Sequence, residues 1–169
     1  EQSVASSNVV TGETVGGGDV YPGEQSSDNK KGAQVLSTDA GYLETMGIDV
    51  VAGRDFSKAI TTDVQDAALI NQAALTELGY ASPEEALGTV VVEGSDMRPL
   101  TIVGVISDYH HVSLQERIAP MLLRAIPRWY GYLSLRLATD ALPETMQQVE
   151  ATWDRLFPGH PFTFFFLYE

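Results

Sequence analysis

The amino-acid sequence predicts an α+β fold. Short apolar runs rich in β-branched side chains, such as residues 67–70 and 102–106, are typical of buried strands. Short helical segments alternate with these runs, which favours the α+β class over a doubly wound sheet. Towards the C-terminus, a strand at 132–138, a helix at 141–157 and an apolar run at 162–167 predict a right-handed strand–helix–strand unit.

The periodicity of this C-terminal unit supports the prediction. Leu133, Leu135 and Leu137 alternate with polar residues, so the strand should be buried on one face. The helix carries a single apolar stripe, and Asp140 is suited to cap its start. The stripe consists of Leu142, Met146, Val149, Trp153 and Leu156.

Capping and turn residues place the other elements. Asn71 and the sequence Ser82-Pro83-Glu84-Glu85 are typical helix starts. Gly47 fits the left-handed position after a helix at 40–46. The three glycines at 16–18 predict an ordinary turn. The remaining predicted strands are 4–10, 33–36, 48–52, 89–93, 100–106 and 121–126, with 89–93 and 100–106 forming a hairpin.

Residues 100–120 organise this arrangement, as a buried strand, a polar loop and a return strand. Gly104 lies in the middle of the apolar run, and a residue without Cβ allows a neighbouring chain to approach closely. The loop that follows holds Asp108, Tyr109, His110 and His111.

Composition limits the class of protein. The chain has 169 residues, enough for one domain or two small subdomains, and a formal net charge of −13, which disfavours nucleic acid and anionic lipid as ligands. The sequence contains no cysteine, so disulfides and thiolate chemistry are excluded. It shows neither a signal peptide in residues 1–11 nor a run with the length and apolarity of a transmembrane helix.

The loop at 108–111 is the obvious place for chemistry, and we interpret it as structural. Adjacent residues in an extended chain point to opposite sides, so His110 and His111 would not reach one metal ion. Ser107, Asp108 and His110 resemble a hydrolase triad in composition only, without the strained turn that carries such a serine. We therefore predict no catalytic residue, no metal and no cofactor.

The segment Arg128-Trp129-Tyr130-Gly131-Tyr132 is the candidate contact surface. Arginine, tryptophan and tyrosine are enriched where proteins bind one another. Ordinary packing of an edge strand is the competing interpretation. The predicted partner-contact residues are Arg128, Trp129, Tyr130 and Tyr132.

Four stretches, in order, make the chain resemble the periplasmic core domain of MacB/FtsX-like permeases, the membrane subunits of a class of ABC transporter. They are 41–48 with 53–57, 69–74 with 78–79, 102–110 with 113–114, and 157–159 with 162–164. The resemblance implies a porter-like βαβ subdomain at 1–57 and 121–169, and a smaller, mixed α/β sabre-like insertion at 58–120.

The resemblance also implies function and location. Such a domain is periplasmic, belongs to a bacterial inner-membrane protein and has no catalytic residue of its own. It transmits conformational change that is driven by ATP hydrolysis in a cytoplasmic subunit, and the transporter serves efflux, lipoprotein export or cell-wall regulation. The expected partners are the permease's own transmembrane helices, the ATPase subunit and a periplasmic adaptor or substrate protein, with dimerisation only in the full-length transporter. The sequence is then a piece from between two transmembrane helices.

Two other function classes stay open at this point. One is an extracytoplasmic sensor or ligand-binding domain of a signalling protein, whose gene would continue into a kinase or cyclase module. The other is a hydrolase or metal enzyme that uses the loop from Asp108 to His111.

Overall fold

A computed structural model describes residues 3–95, 97–112, 115–137 and 141–167. The strands are β1 Ser3–Ser7, β2 Gly17–Pro22, β3 Lys31–Ser37, β4 Val50–Gly53, β5 Ala67–Asn71, β6 Val90–Glu93, β7 Arg98–Ile106, β8 Met121–Arg124 and β9 Tyr132–Arg136. The helices are α1 Tyr42–Met46, α2 Asp63–Asp66, α3 Gln72–Glu77, α4 Pro83–Ala86 and α5 Leu142–Leu156, with a 3₁₀ turn at Pro127–Trp129. The predicted α+β class is confirmed.

Seven strands form one mixed sheet in the order β4-β7-β5-β8-β3-β2-β6. The long strand β7 pairs in parallel with β5 along one edge, and antiparallel with β6 and then β4 along the other. Because β6 also pairs with β2, six of the strands close into a ring, and β4 lies beside it on β7. The predicted hairpin of β6 and β7 is part of this closure.

Two clusters of buried side chains lie on opposite sides of the sheet. Ala67 and Leu69 of β5 belong to one cluster, and the alternate residues Ala68 and Ile70 belong to the other. Strand β8 is divided in the same way. This arrangement explains why these strands read as continuous apolar runs, because both of their faces exclude water. The strands of the ring come from both predicted subdomain ranges, and the division at 58 and 120 stays a prediction.

The predicted helix boundaries in the first half are mostly confirmed. Asn71 caps α3, with its side chain accepting a hydrogen bond from the Ala74 N–H, and Ser82 caps α4 by accepting from Glu85 N–H. Gly47 ends α1 in the left-handed conformation at φ 69°. Gly17 and Gly18, however, belong to β2, so the prediction of a plain turn there is wrong.

The C-terminal prediction is only partly correct. β9 forms a separate two-stranded sheet with β1, and the leucine face predicted to be buried is open, with Leu133 57% and Leu135 39% exposed. α5 has the predicted extent, but its apolar stripe is not buried, and residues 161–167 form no strand. Pattern alone predicted burial, whereas burial requires a covering element, which the described residues do not provide. Asp140, the predicted cap, lies outside the described residues.

Gly104 makes the close approach that the sequence predicted. A Cβ on Gly104 would lie 2.3 Å from the backbone oxygen of Arg54 and 2.9 Å from Leu69 Cδ2. The Arg54 N–H donates to the Val103 oxygen at 3.0 Å, so the chain after β4 is fixed directly against β7.

We expect Gly104→Ala to lower the free energy of unfolding by roughly 1–3 kcal/mol, because backbone atoms would have to move to admit the methyl group. Urea unfolding of the purified domain measures this loss. Gly32→Ala is the matched control, since its added Cβ would meet nothing within 4 Å. Equal unfolding midpoints for the two variants would contradict the close approach.

Candidate functional site

The predicted contact residues begin at the 3₁₀ turn that follows β8. Pro127 starts this turn, and Trp129 at its end is 40% exposed. The Arg128 guanidinium carbon lies 5.6 Å from the centroid of the Trp129 ring, a cation–π arrangement. The turn thus presents a broad aromatic face with a cation already beside it.

The two tyrosines of this segment differ in their availability. The Tyr130 hydroxyl donates a hydrogen bond to the Thr38 oxygen at 2.8 Å, and burial raises the pKa of Tyr130 to about 12. Tyr132 is more exposed, and its hydroxyl lies 3.4 Å from Glu13 Oε1. Tyr130 therefore attaches the segment to the loop after β3, while Arg128, Trp129 and Tyr132 face outward.

Trp129 also forms one wall of a groove of about 490 Å³. The groove lies where β2 begins and β6 ends, at one opening of the closed ring. Its volume is within the range of about 300–1,000 Å³ usual for ligand sites. The lining residues are Asn8, Gly16, Gly17, Gly18, Asp19, Val35, Glu93, Gly94, Ser95 and Trp129.

A buried ion pair lies at this opening. Arg124 Nη1 donates to Glu93 Oε2 at 2.6 Å, and both side chains are almost completely buried. Glu93 also accepts hydrogen bonds from Ser95, at 2.9 Å from the backbone N–H and 2.6 Å from the hydroxyl. The pair connects β6 with β8. Its attraction is offset by desolvation, so removing one partner would be far more costly than the net contribution of the pair.

Sequence reasoning missed this pair, although a signal was present. Arg124 interrupts the apolar run at 121–126, and Glu93 ends the apolar run at 90–92. An arginine inside one apolar run and a glutamate at the end of another indicate a pair, because a single charge buried there would be very unfavourable.

The loop after β7 separates the side chains that had suggested chemistry. Asp108 Oδ1 accepts a hydrogen bond from the Ala73 N–H at 2.9 Å, at the start of α3. His110 is exposed, whereas His111 is only 4% exposed. Among the described residues, no three histidine, aspartate or glutamate side chains come together as metal ligands.

His111 occupies an unusual environment. Neither ring nitrogen has a hydrogen-bond partner among the described residues, and the imidazole meets the Tyr109 ring edge-on at 6.0 Å. Burial lowers the pKa of His111, and the Glu13 carboxylate acts in the opposite direction. A cavity of about 50 Å³ adjoins it, with space for a water molecule. Burial thus favours the neutral form of the imidazole.

The segment between β4 and α2 carries a second polar cluster. Arg54 binds Asp63 with two hydrogen bonds, Nη1 to Oδ2 at 2.7 Å and Nη2 to Oδ1 at 2.8 Å. The pairing partner of Arg54 is therefore Asp63. The pKa of Asp55 is raised to about 6, chiefly by burial and to a smaller extent by the carboxylates of Asp39 and Asp63.

The sequence matches the family model of the MacB-like periplasmic core domain over residues 2–157. A comparison with curated proteins found no match. No helix in the described part of the chain combines the length and apolarity needed to cross a membrane.

Solved structures that share this fold include two regions of transporters. One is the periplasmic region of MacB from Actinobacillus actinomycetemcomitans, with 15% identity and a TM-score of 0.62, covering 90% of this chain and 66% of that one. The other is the extracellular domain of the noncanonic ABC-type transporter YknZ from Gram-positive bacteria, with 15% identity and a TM-score of 0.62, covering 91% of this chain and 75% of that one. At this identity the likeness shows the fold.

We expect His111→Phe to reduce the acid sensitivity of the domain. Between the ordinary histidine pKa of about 6.5 and the lower folded pKa, the unfolded state binds more protons, so the free energy of unfolding falls as pH falls. Phenylalanine keeps the aromatic contact and removes the titrating group. Urea unfolding from pH 8 to 5 measures the difference, with His160→Phe, at an exposed position, as control. Parallel curves for His111→Phe and the wild type would contradict the buried neutral imidazole.

Asp55→Asn should show the opposite pH dependence. The folded pKa of about 6 lies above the ordinary aspartate pKa of about 3.8, so the folded state binds more protons between these values, and stability falls as pH rises through this window. The variant should therefore gain stability relative to wild type from pH 4 to 6 and keep that gain above pH 6. An amide oxygen can still accept from the Phe56 N–H, as Asp55 Oδ1 does. Thermal unfolding beside the exposed-site control Asp66→Asn tests this, and no gain at pH 8 would refute it.

Proposed function

Because this chain belongs to the family of MacB-like periplasmic core domains, we propose that it relays conformational change between the membrane part of an ABC transporter permease and a periplasmic partner or substrate. In this proposal, ATP hydrolysis occurs in a separate cytoplasmic subunit. The domain itself is non-catalytic and acts by changing position.

The family match confirms three predictions made from the sequence. These are the resemblance itself, the periplasmic location of the domain, and its place in an ABC transporter permease, a class of protein that works with ATPase subunits. The sensor and the hydrolase were alternatives to this family, and no observation on the described residues favours either of them.

The closed ring supports the proposed relay. Strands β5, β7 and β8 are paired on both edges and buried on both faces, so they cannot slide past one another without losing hydrogen bonds and apolar burial together. Such a body transmits displacement as a unit. α5 differs, because its apolar stripe has no covering element among the described residues.

We assign the partner contact to Arg128, Trp129, Tyr130 and Tyr132. The exposed Trp129 ring and the Arg128 guanidinium support this assignment, since both residue types are enriched in binding hot spots. Tyr130 would act by positioning the segment, because its hydroxyl is bound to Thr38. The partner would be a periplasmic adaptor or substrate protein, in efflux, lipoprotein export or cell-wall regulation, with a dimer formed only in the full-length transporter.

The relay can be tested in the intact permease with its ATPase subunit in nanodiscs. Residues 1–169 contain no cysteine, so Glu84→Cys on α4 and Glu150→Cys on α5, both exposed, would each carry one donor fluorophore once cysteines elsewhere are replaced. Energy transfer to acceptor lipid headgroups reports the position of each label relative to the membrane.

We expect transfer efficiency to change at one or both labels when ATP binds a hydrolysis-deficient ATPase subunit. An ATPase subunit that cannot bind ATP is the control, and the change should be absent there. Identical efficiency at both labels with and without bound ATP would refute the relay.

A further inference from the structure

We propose that the groove beside Trp129 binds an extended, cationic segment of a partner protein, which adds a short strand to the free edge of β2 at Gly17. This inference deepens the proposed function, because it names the chemistry of the partner. It uses the groove together with the backbone of β2, beyond the contact residues already assigned.

The hydrogen-bonding pattern of β2 shows which backbone groups are free. The Gly16 oxygen accepts from the Val35 N–H at 2.9 Å, which points it towards β3, while the Asp19 oxygen accepts from the Gly94 N–H at 2.8 Å, which points it towards β6. Successive residues of an antiparallel strand direct their backbone groups to opposite edges. The N–H and C=O of Gly17 therefore face the edge used by Asp19.

On that edge, β6 does not reach Gly17. The described ladder pairs β2 with β6 only at Val20, Tyr21 and Pro22, and the contact between Gly94 and Asp19 extends it by one residue. Gly17 is exposed and lines the groove. One donor and one acceptor thus point into a space of about 490 Å³, the situation in which an extended peptide can lengthen a sheet.

The surroundings of Gly17 allow another backbone to approach. An added Cβ at Gly16 would meet nothing within 4 Å, and one at Gly17 would meet only the Ala33 oxygen at 3.9 Å. The absence of side chains here leaves the edge accessible, while Trp129 on the groove wall offers an aromatic surface to the side chains of a bound segment.

Charge favours a cationic segment. Of the two acidic residues in the lining, Glu93 is already paired with Arg124, so Asp19 is the carboxylate available to a bound segment. The whole chain has a net charge of −13. Lys30 pairs with Asp19 at 2.8 Å, but both side chains are about half exposed, and such a surface pair is readily replaced by another cation. The negative charge of the domain would attract a lysine-bearing segment at long range. At short range, the backbone of that segment would form hydrogen bonds with the edge of β2.

The test uses a blocked nonapeptide of alternating lysine and valine, titrated into the domain and followed by NMR. We expect saturable shifts at the amides of residues 16–18 and the Trp129 indole. An analogue N-methylated at its central amides should bind about tenfold more weakly, because it loses backbone hydrogen bonds. A glutamate–valine analogue should show no saturation.

Two variants at one position give the matched comparison. Gly17→Pro removes the free N–H, which β3 does not use, and proline is tolerated at the first residue of a strand. We expect it to weaken peptide binding at least fivefold, while Gly17→Ala, which keeps the N–H, binds as the wild type does. If Gly17→Pro fails to fold, the N-methylated peptide against the wild-type domain makes the same comparison.

Equal binding of the N-methylated and unmodified peptides would overturn strand addition, and equal binding of the glutamate peptide would overturn the cationic preference. Shifts at residues 16–18 that grow with protein concentration alone would show that a second copy fills the groove, which would also overturn the proposal. These outcomes are independent of the energy-transfer experiment, so failure here leaves the relay itself standing.

Discussion

The sharing of β7 between three strands is the constraint on which the fold depends. β7 holds β5 on one edge and both β6 and β4 on the other, so the ring and its neighbouring strand are closed by one element. The approach at Gly104 then fixes Arg54 against β7, and Arg54 in turn fixes Asp63 at the start of α2. A chain of short contacts thus connects the sheet to the segment between β4 and β5. A side chain at Gly104 would push the backbone of Arg54 away from β7.

Features determined by neighbouring residues were predictable from the sequence. The caps at Asn71 and Ser82, the left-handed Gly47 and the hairpin of β6 and β7 each depend on a few consecutive residues, and all are present. Features determined by distant partners were not. The leucines of β9 and the stripe of α5 have the period of buried elements, but periodicity cannot say whether a covering element exists. Gly17 and Gly18 are part of a strand because β3 is available to pair with them, which overrides the preference of glycine for turns.

In the candidate site, too, features set by neighbouring residues were predictable and features set by distant residues were not. Composition singles out the segment from Arg128 to Tyr132 as a candidate contact surface, since aromatic residues beside arginine are a local signal, and this assignment stays a prediction. The groove could not be predicted from the sequence. Its lining residues Asn8, Gly17, Ser95 and Trp129 are far apart along the chain, and the closed ring of strands brings them together. The two histidines show how far a local pattern reaches. It predicts that adjacent side chains point to opposite sides, but not which of them is buried. His110 is exposed, whereas His111 is buried and its ring nitrogens have no hydrogen-bond partner among the described residues.

The position of the groove links binding to the mechanics of the ring. The contact between β2 and β6 closes the ring with three ladder pairs, and the groove opens where that contact ends. The ion pair of Glu93 with Arg124 joins β6 to β8 beneath it, so the end of β6 is already held from inside. A segment that pairs with Gly17 would lengthen β2's hydrogen-bonded edge and bridge towards Ser95 and Trp129. Force applied to such a segment would then act on strands paired on both edges, which would carry it as one body.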